Sequence, residues 1–318
     1  MPVGVVLAAG RGERLGPLTR NIPKPLLPVA NQPVMSSGIA CIRKAGIAKI
    51  CINLWYRAEQ IRDTITVMPP EDVALHWSHE QALLGTAGAL KAMAQELSDD
   101  LIVVLAGDAL VDVDLTPLLA FHQAVNAFVT LATMPVMAPE RYGVVICTED
   151  GRVQHFQEKP APGAAMSHCA NTGIYIFNPG IVELIPDTVP CDFAHDIFPR
   201  VLHEKLPFYA QPLRGYWRDI GDPSEYLLGN LDALDGRLAL PTSVQLMGSN
   251  CIAEDAQARN ATLHRCVVGE KAYVPSDCQL ERCLVWPEAR VPSGTVMTDC
   301  IFTTDGHYSV QQGAIVKW

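Results

Sequence analysis

Val3-Gly4-Val5-Val6-Leu7-Ala8-Ala9-Gly10-Arg11-Gly12-Glu13-Arg14-Leu15-Gly16-Pro17-Leu18-Thr19, followed by Pro23-Lys24-Pro25-Leu26-Leu27-Pro28, is the stretch that decides how this chain is read. Residues 3–9 form a short, unbroken apolar run, the pattern of a fully buried strand. The run ends in a glycine-rich turn carrying Arg11 and Arg14. Gly10 and Gly12 let a backbone approach a ligand closely and turn N–H donors toward phosphate oxygens. The spacing G-x-G-x-x-x-G, through Gly16, is not the dinucleotide fingerprint, and no Gly-Lys-Ser/Thr follows to make a P-loop. Lys24 sits between two prolines that stiffen its backbone and fix where its ammonium points. A tight turn with solvated charges would account for the glycines alone. Arg14 and Lys24 beside it point to a triphosphate.

Outward from this stretch, short apolar runs alternate with amphipathic segments as far as about residue 235. The pattern predicts helices over 33–45, 58–65 and 86–97, and strands over 49–55, 74–78 and 101–105. Such alternation implies a mostly parallel sheet covered on both faces, with ligands at the carboxyl ends of its strands. Gly10 and Asp108 both fall at such ends. Beyond residue 125, strands are predicted over 128–134, 144–148, 153–157 and 172–178, with helices over 193–204 and 224–234. Asp150-Gly151 predicts a hairpin joining the second and third of these strands.

Several motifs in this part carry charge or close backbone approach. Asp108, after Ala106-Gly107, offers hard oxygen ligands for Mg2+ bound to a triphosphate, although a turn or helix-capping Asp reads the same way. Asp219, in Trp217-Arg218-Asp219-Ile220-Gly221, is a second such carboxylate, and Asp222 is placed to cap the helix that follows. Glu158-Lys159-Pro160 is either a surface ion pair or a phosphate and hydroxyl contact. Gly143 after Tyr142 again allows close approach, and Asn171-Thr172-Gly173 opens a strand. Glu80 and Leu84-Gly85-Thr86-Ala87 lie at a strand-to-helix junction, where small residues either admit a flat base or pack a capped helix.

From about residue 241 the helical period vanishes and a repeat replaces it. Cys266, Cys283 and Cys300 each open an apolar step, 17 residues apart. Val274-Pro275-Ser276 returns 17 residues later as Val291-Pro292-Ser293, and Ala256, Ala272 and Ala289 follow at 16 and 17. Three columns with one period predict a small β-solenoid whose coils stack apolar residues.

Composition excludes whole classes. With 49% hydrophobic residues the chain has ample material for a core. A net charge of −10 argues against a nucleic-acid partner, which needs a basic surface. No apolar run approaches the roughly 20 residues that span a bilayer, and no signal peptide is read, so neither a membrane partner nor export is expected. The ten cysteines are scattered without a C-x-x-C and are read as reduced, buried apolar residues of a cytoplasmic protein rather than as zinc ligands.

Taken together, the motifs resemble the sugar-1-phosphate nucleotidyltransferases, also called nucleotide-sugar pyrophosphorylases. Leu7-Ala8-Ala9-Gly10 through Arg14 resembles the family's signature loop, and Lys24 in Pro-Lys-Pro-Leu-Leu-Pro its essential lysine. Gly107-Asp108 and Trp217-Arg218-Asp219-Ile220-Gly221 resemble its two metal-binding motifs. Tyr142-Gly143, Glu158-Lys159-Pro160 and Asn171-Thr172-Gly173 resemble its sugar-phosphate side. Leu84-Gly85-Thr86-Ala87-Gly88-Ala89 is most similar to the mannose-1-phosphate guanylyltransferases.

The resemblance implies a Rossmann-like, three-layer α/β domain with a mixed, mostly parallel sheet over 1–238, and a short left-handed β-helix over 239–318. It implies transfer from a nucleoside triphosphate, GTP before UTP or dTTP, to a sugar 1-phosphate such as mannose 1-phosphate. The implied catalytic residues are Arg14, Lys24, Asp108 and Asp219, with the two aspartates holding Mg2+. Leu7, Ala8, Ala9, Gly10, Arg11, Gly12, Glu80, Gly85 and Thr86 would hold the nucleotide. Gly143, Glu158, Lys159, Asn171 and Trp217 would hold the sugar phosphate. The tail implies a homo-oligomer or a regulatory surface. A nucleotidyltransferase for a non-sugar phosphate and a nucleotide-sugar-sensing subunit are the rival readings. A hexapeptide-type acyltransferase is not expected from so few coils, and His264 is read as a surface residue.

Overall fold

A computed structural model of the chain describes residues 1–67, 72–97, 100–258, 260–311 and 314–317. The chain forms two compact units: Met1–Gly10, Ser37–Asp108 and Asp112–Trp217 make one, and Arg11–Ser36, Ala109–Val111 and Arg218–Trp318 the other. Membership therefore does not follow chain order. No described helix is long and apolar enough to cross a membrane.

The first unit is built on Val3–Leu7, which lies between two parallel neighbours, Lys49–Leu54 and Ile102–Ala106. Ala74–His79 extends the parallel part beyond Lys49–Leu54. Cys169–Phe177 then runs antiparallel to both Ile102–Ala106 and Val129–Pro135, and Phe208–Pro212 joins Val129–Pro135 in parallel. Val144–Cys147 and Val153–Gln157 form the hairpin expected at Asp150-Gly151, with Gly151 at φ 86°. Strands buried on both faces need apolar side chains throughout, and Val5, Cys51 and Val104 meet across the register in the interior. Around them pack Phe177, Phe193, Phe198 and Phe208, with ring centroids 4.9 Å apart for Phe177–Phe193 and 5.1 Å for Phe198–Phe208. Burying each such side chain contributes about 1.5–3 kcal/mol.

Helices form where the pattern placed them, with two departures. The segment expected as one helix over 86–97 breaks at Met93 into Thr86–Ala92 and Ala94–Leu97. The segment over 193–204 begins as a wide turn, Phe193–Ile197, before Phe198–His203, and Asp192 caps it by accepting from the amides of Ala194 and His195. Helix Thr116–Ala124 and strands Ala109–Val113, Phe208–Pro212 and Gly215–Asp219 have no counterpart in the sequence reading. Each is short, so its period is too brief to register.

In the second unit, the repeat becomes three stacks of parallel strands. Asn250–Ile252, Val267–Val268, Leu284–Val285 and Cys300–Phe302 form one, and Thr262–His264, Gln279–Glu281 and Val296–Thr298 another. Single bridges Gln257–Tyr273–Arg290 mark the third. Pairing Val267 with Leu284 and Leu284 with Ile301 advances 17 residues per coil. The columns seen in the sequence point inward: Cys266, Cys283 and Cys300 are buried, as are Ala256, Ala272 and Ala289. Arg265, Arg282 and Asp299, again 17 apart, take left-handed φ values of 49–54° and 55° at one corner. Arg282 braces its corner by a two-pronged bond to Asp299, at 2.8 and 2.6 Å. His307–Gln311 and Ala314–Lys317 fold back antiparallel and cover the last strand of the first stack, as a solenoid end requires. None of the ten cysteines is in a disulfide.

Candidate functional site

In the first unit, the predicted residues gather at strand ends. Leu7-Ala8-Ala9-Gly10 continues the central strand and is held from both sides. Gly107 N donates to Leu7 O at 2.9 Å, and Ala8 N donates to the Asn53 side-chain oxygen at 2.8 Å. Asn53 in turn donates through Nδ2 to Glu80 Oε1 at 2.7 Å, and Glu80 Oε2 accepts from Leu84 N at 3.0 Å. Three parallel strand ends are thus joined by one hydrogen-bonded chain, with Asn53 buried at its centre. Asp108 follows directly on Gly107.

Gly85 and Thr86 also make packing contacts within the protein. Gly85 has φ 80°, and a Cβ there would stand 2.3 Å from Cys191 O. The Thr86 hydroxyl donates to Asp192 Oδ2 at 2.7 Å and accepts from Phe193 N at 2.9 Å. These contacts anchor the start of Thr86–Ala92 to the segment that follows Pro190.

The sugar-side motifs, scattered over 75 positions from 143 to 217, converge in space. Asn171 N donates to Gly143 O at 2.8 Å, and Lys159 N donates to Tyr142 O at 3.1 Å. Asn171 is oriented by donating to the Tyr175 hydroxyl at 2.9 Å and accepting from Gly173 N at 3.0 Å. Burial pushes the Tyr175 phenol well above its ordinary pKa, so it stays protonated. Trp217 Nε1 donates to Thr172 O at 2.9 Å, and its ring lies 5.5 Å from that of Tyr142. Glu158 and Lys159 form an ion pair of 3.0 Å, with Lys159 the more exposed partner.

In the second unit, the predicted residues are charges set against one another. Gly12 takes φ 67°, and a Cβ there would stand 2.8 Å from the Cβ of Lys24, so the glycine is what lets the turn close over the lysine. Lys24 is buried, its side chain 5% exposed, and its Nζ lies 3.4 Å from Asp219 Oδ1. Arg14, mostly exposed, places NH2 3.8 Å from Asp219 Oδ2. Arg11 is exposed on the same turn. Burying an ammonium is costly unless it is paired, and the carboxylate of Asp219 is one such partner for Lys24.

Among the described residues there is no group of three or more His, Cys, Asp or Glu side chains that could hold a metal. Asp108 and Asp219 offer hard oxygens, one carboxylate each. A single carboxylate suits Mg2+ that arrives on phosphates and takes most of its ligands from phosphate and water, not a metal held in an all-protein cage.

A family profile described as nucleotidyl transferase matches residues 3–236. The chain belongs to the nucleotidyl transferase family. It is 38% identical over 236 residues to a UTP–glucose-1-phosphate uridylyltransferase of Synechocystis sp., covering 70% of this chain and 61% of that protein. It is 37% identical over 229 residues to the mannose-1-phosphate guanylyltransferase catalytic subunit beta of Drosophila pseudoobscura pseudoobscura, covering 71% and 60%. The chain thus spans about three fifths of the length of these relatives. A Bacillus anthracis protein assigned as a glucose-1-phosphate thymidylyltransferase, solved with sucrose, shares the fold. Its TM-score is 0.67 at 22% identity, covering 76% of this chain and 98% of that one.

Two residues of this nucleotidyl transferase escaped the sequence reading. Asn53 was legible as the polar amide inside the buried run at residues 50–54, where it needs a partner. Arg218 sits inside a predicted motif yet faces helix Pro223–Leu234, pairing with Glu225 and, at 2.8 Å, with Asp232. It fixes the strand that ends in Asp219.

Proposed function

We propose that the protein transfers a nucleotidyl group from a nucleoside triphosphate to a sugar 1-phosphate, releasing pyrophosphate, with GTP and mannose 1-phosphate as the leading pair. The observation that carries the reading is the buried Lys24 ammonium, closed over by Gly12 and set against Asp219 beside Arg14. A phosphate oxygen of the sugar 1-phosphate attacks the α-phosphorus. The bond from that phosphorus to the bridging oxygen breaks, and pyrophosphate leaves with the electron pair. Catalysis is positioning and charge neutralisation. Lys24 stabilises charge gathering at the α-phosphate, and Arg14 that on the departing pyrophosphate. Asp108 and Asp219 hold Mg2+, which when bound draws charge from the phosphoryl oxygens.

Leu7, Ala8, Ala9, Gly10, Arg11 and Gly12 hold the nucleotide through backbone and cationic groups, with Glu80, Gly85 and Thr86 shaping its base side. Lys159 grips the sugar phosphate, while Glu158, Asn171, Gly143 and Trp217 read the sugar. The convergence of the last five by hydrogen bonds and an ion pair supports a common task. In this reading the catalytic domain runs over 1–238, the coils of 239–318 wind left-handed, and the protein is a cytoplasmic homo-oligomer.

The uridylyltransferase relative from Synechocystis sp. favours a second reading, UTP with glucose 1-phosphate. A screen of pyrophosphate release with five nucleoside triphosphates against a panel of sugar 1-phosphates separates the two. Release fastest with GTP and mannose 1-phosphate is expected. A UTP optimum moves the assignment to the second reading, and no release with any pair overturns both.

A further inference from the structure

We infer that the β-solenoid is a positioning element for Lys24, acting through the hairpin at 28–33 and the helix Pro223–Leu234. The inference rests on the catalytic roles proposed for Lys24 and Asp219. The chain leaves little slack between the lysine and the hairpin. Lys24 opens a tight turn in which Leu27 N donates back to Lys24 O at 3.1 Å, and Leu27 O accepts from Val34 N at 3.1 Å across the hairpin's base. Pro28 pairs with Pro33 and Val29 with Gln32. The tip residues, Ala30 and Asn31, both take left-handed φ, 46° and 62°. An alanine is disfavoured in that region, so something outside the hairpin holds it there.

What holds it is distributed over the helix and the coils. Ala30 N donates to the buried Asn230 side-chain oxygen at 3.0 Å. Asn31 Nδ2 donates to Val268 O, on the second coil, at 3.0 Å. The Tyr226 hydroxyl donates to Pro28 O at 2.6 Å and accepts from Trp286 Nε1, on the next coil, at 2.9 Å. Burial keeps the Tyr226 phenol protonated, so it remains a donor.

Tyr226 and Asn230 lie one turn apart on the helix Pro223–Leu234. That helix is capped by Asp222, three residues after Asp219, and is clamped to the Asp219 strand by Arg218. One element therefore grips the hairpin behind Lys24 and fixes the carboxylate in front of it. Val268 and Trp286 supply the outer hold. Shifting the coils relative to the helix shifts the ammonium relative to its carboxylate.

The test uses the full chain with Asn31→Ala and Trp286→Phe; the phenylalanine keeps a ring and removes the indole N–H. Lys271→Ala, on an exposed part of the solenoid, is the control. Acetylation of Lys24 by an N-hydroxysuccinimide ester, read by mass spectrometry on folded protein, reports the position of the amine without any assay of activity. Pyrophosphate release reports kcat and KM. Both variants are expected to raise Lys24 acetylation severalfold and to lower kcat about tenfold with KM within about twofold, because misplacing a charge-stabilising group acts on the chemical step. The control is expected to match the parent in both readouts.

Unchanged Lys24 acetylation in both variants, with the loss confined to thermal stability, overturns the inference. If one variant fails to fold, the other decides by the same two readouts. If the parent releases no pyrophosphate with any substrate pair, it is the functional reading that fails, and acetylation alone then decides whether the solenoid positions the lysine.

Discussion

The first unit holds most of its share of the predicted residues by hydrogen bonds, Ala8 to Asn53, Asn53 to Glu80, Asn171 to Tyr175 and Trp217 to Thr172, with the Glu158–Lys159 pair its one described ion pair among them. The second unit holds its share as opposed charges, with Lys24 and Arg14 on either oxygen of Asp219. Fixed dipoles of the first kind suit recognition, because they orient a ligand's edges without a large desolvation penalty. Charges of the second kind suit a reaction that moves phosphate charge, since they act strongly where water is excluded. The contrast predicts that damage to the second unit falls on turnover and damage to the first on binding.

Lys24→Ala tests the first half of that statement and should have the largest effect. Removing the ammonium should lower kcat by about a thousandfold, in the range found when a group that stabilises transition-state charge is deleted. Because Asp219 retains Arg14, the fold should persist, and a thermal melt should show a cooperative transition. Turnover within threefold of the parent would break the comparison at its strongest point.

Asn53→Ala tests the second half. It leaves Ala8 N and Glu80 Oε1 without their partner in a buried place, at a cost of about 1–3 kcal/mol of stability. The loosened strand end should raise KM for the nucleoside triphosphate about tenfold and move kcat less. Initial-rate kinetics at saturating sugar 1-phosphate give both constants. A fall in kcat with KM unchanged would show that the first unit also serves the chemical step.

How much of this was legible depends on the length of the pattern. The 17-residue columns of Cys266, Cys283 and Cys300 extend over three coils, so the stack of parallel strands followed from spacing alone. The buried run at Val3–Leu7 was equally plain, since it carries no polar residue. Gly215–Asp219 was hidden because five residues with no apolar alternation resemble a loop, and its partner Ala109–Val113 is almost as short.

The hairpin at 28–33 was hidden for a different reason. Its Ala-Asn tip lacks the glycine that local turn chemistry calls for, because Asn230 and Val268, more than 190 positions away, supply the hold instead. Likewise, that Gly12 has no room for a side chain beside Lys24 was not legible from the turn itself. Residues whose role is set by a distant neighbour leave no local trace.

The smallest expected effect concerns stability in acid and belongs to the first unit. His122 is buried on helix Thr116–Ala124, where Nδ1 meets the Thr130 hydroxyl at 2.8 Å and Nε2 has no partner. Burial lowers its pKa from 6.5 to about 4. Between those values the unfolded chain binds a proton that the folded chain refuses, so stability falls as pH drops from 6.5 toward 4. Above pH 6.5 both states are neutral and nothing is lost. The shift bounds the loss from this group at about 3 kcal/mol.

His122→Asn keeps a partner for Thr130 and removes the titration. The stability difference between parent and variant, measured by urea unfolding, should therefore be nearly constant from pH 8 to 7 and shrink progressively below pH 6. A difference that stays constant down to pH 4.5 would show that the imidazole reaches water on protonation. The first unit would then be looser at this helix than its hydrogen-bonded strand ends suggest.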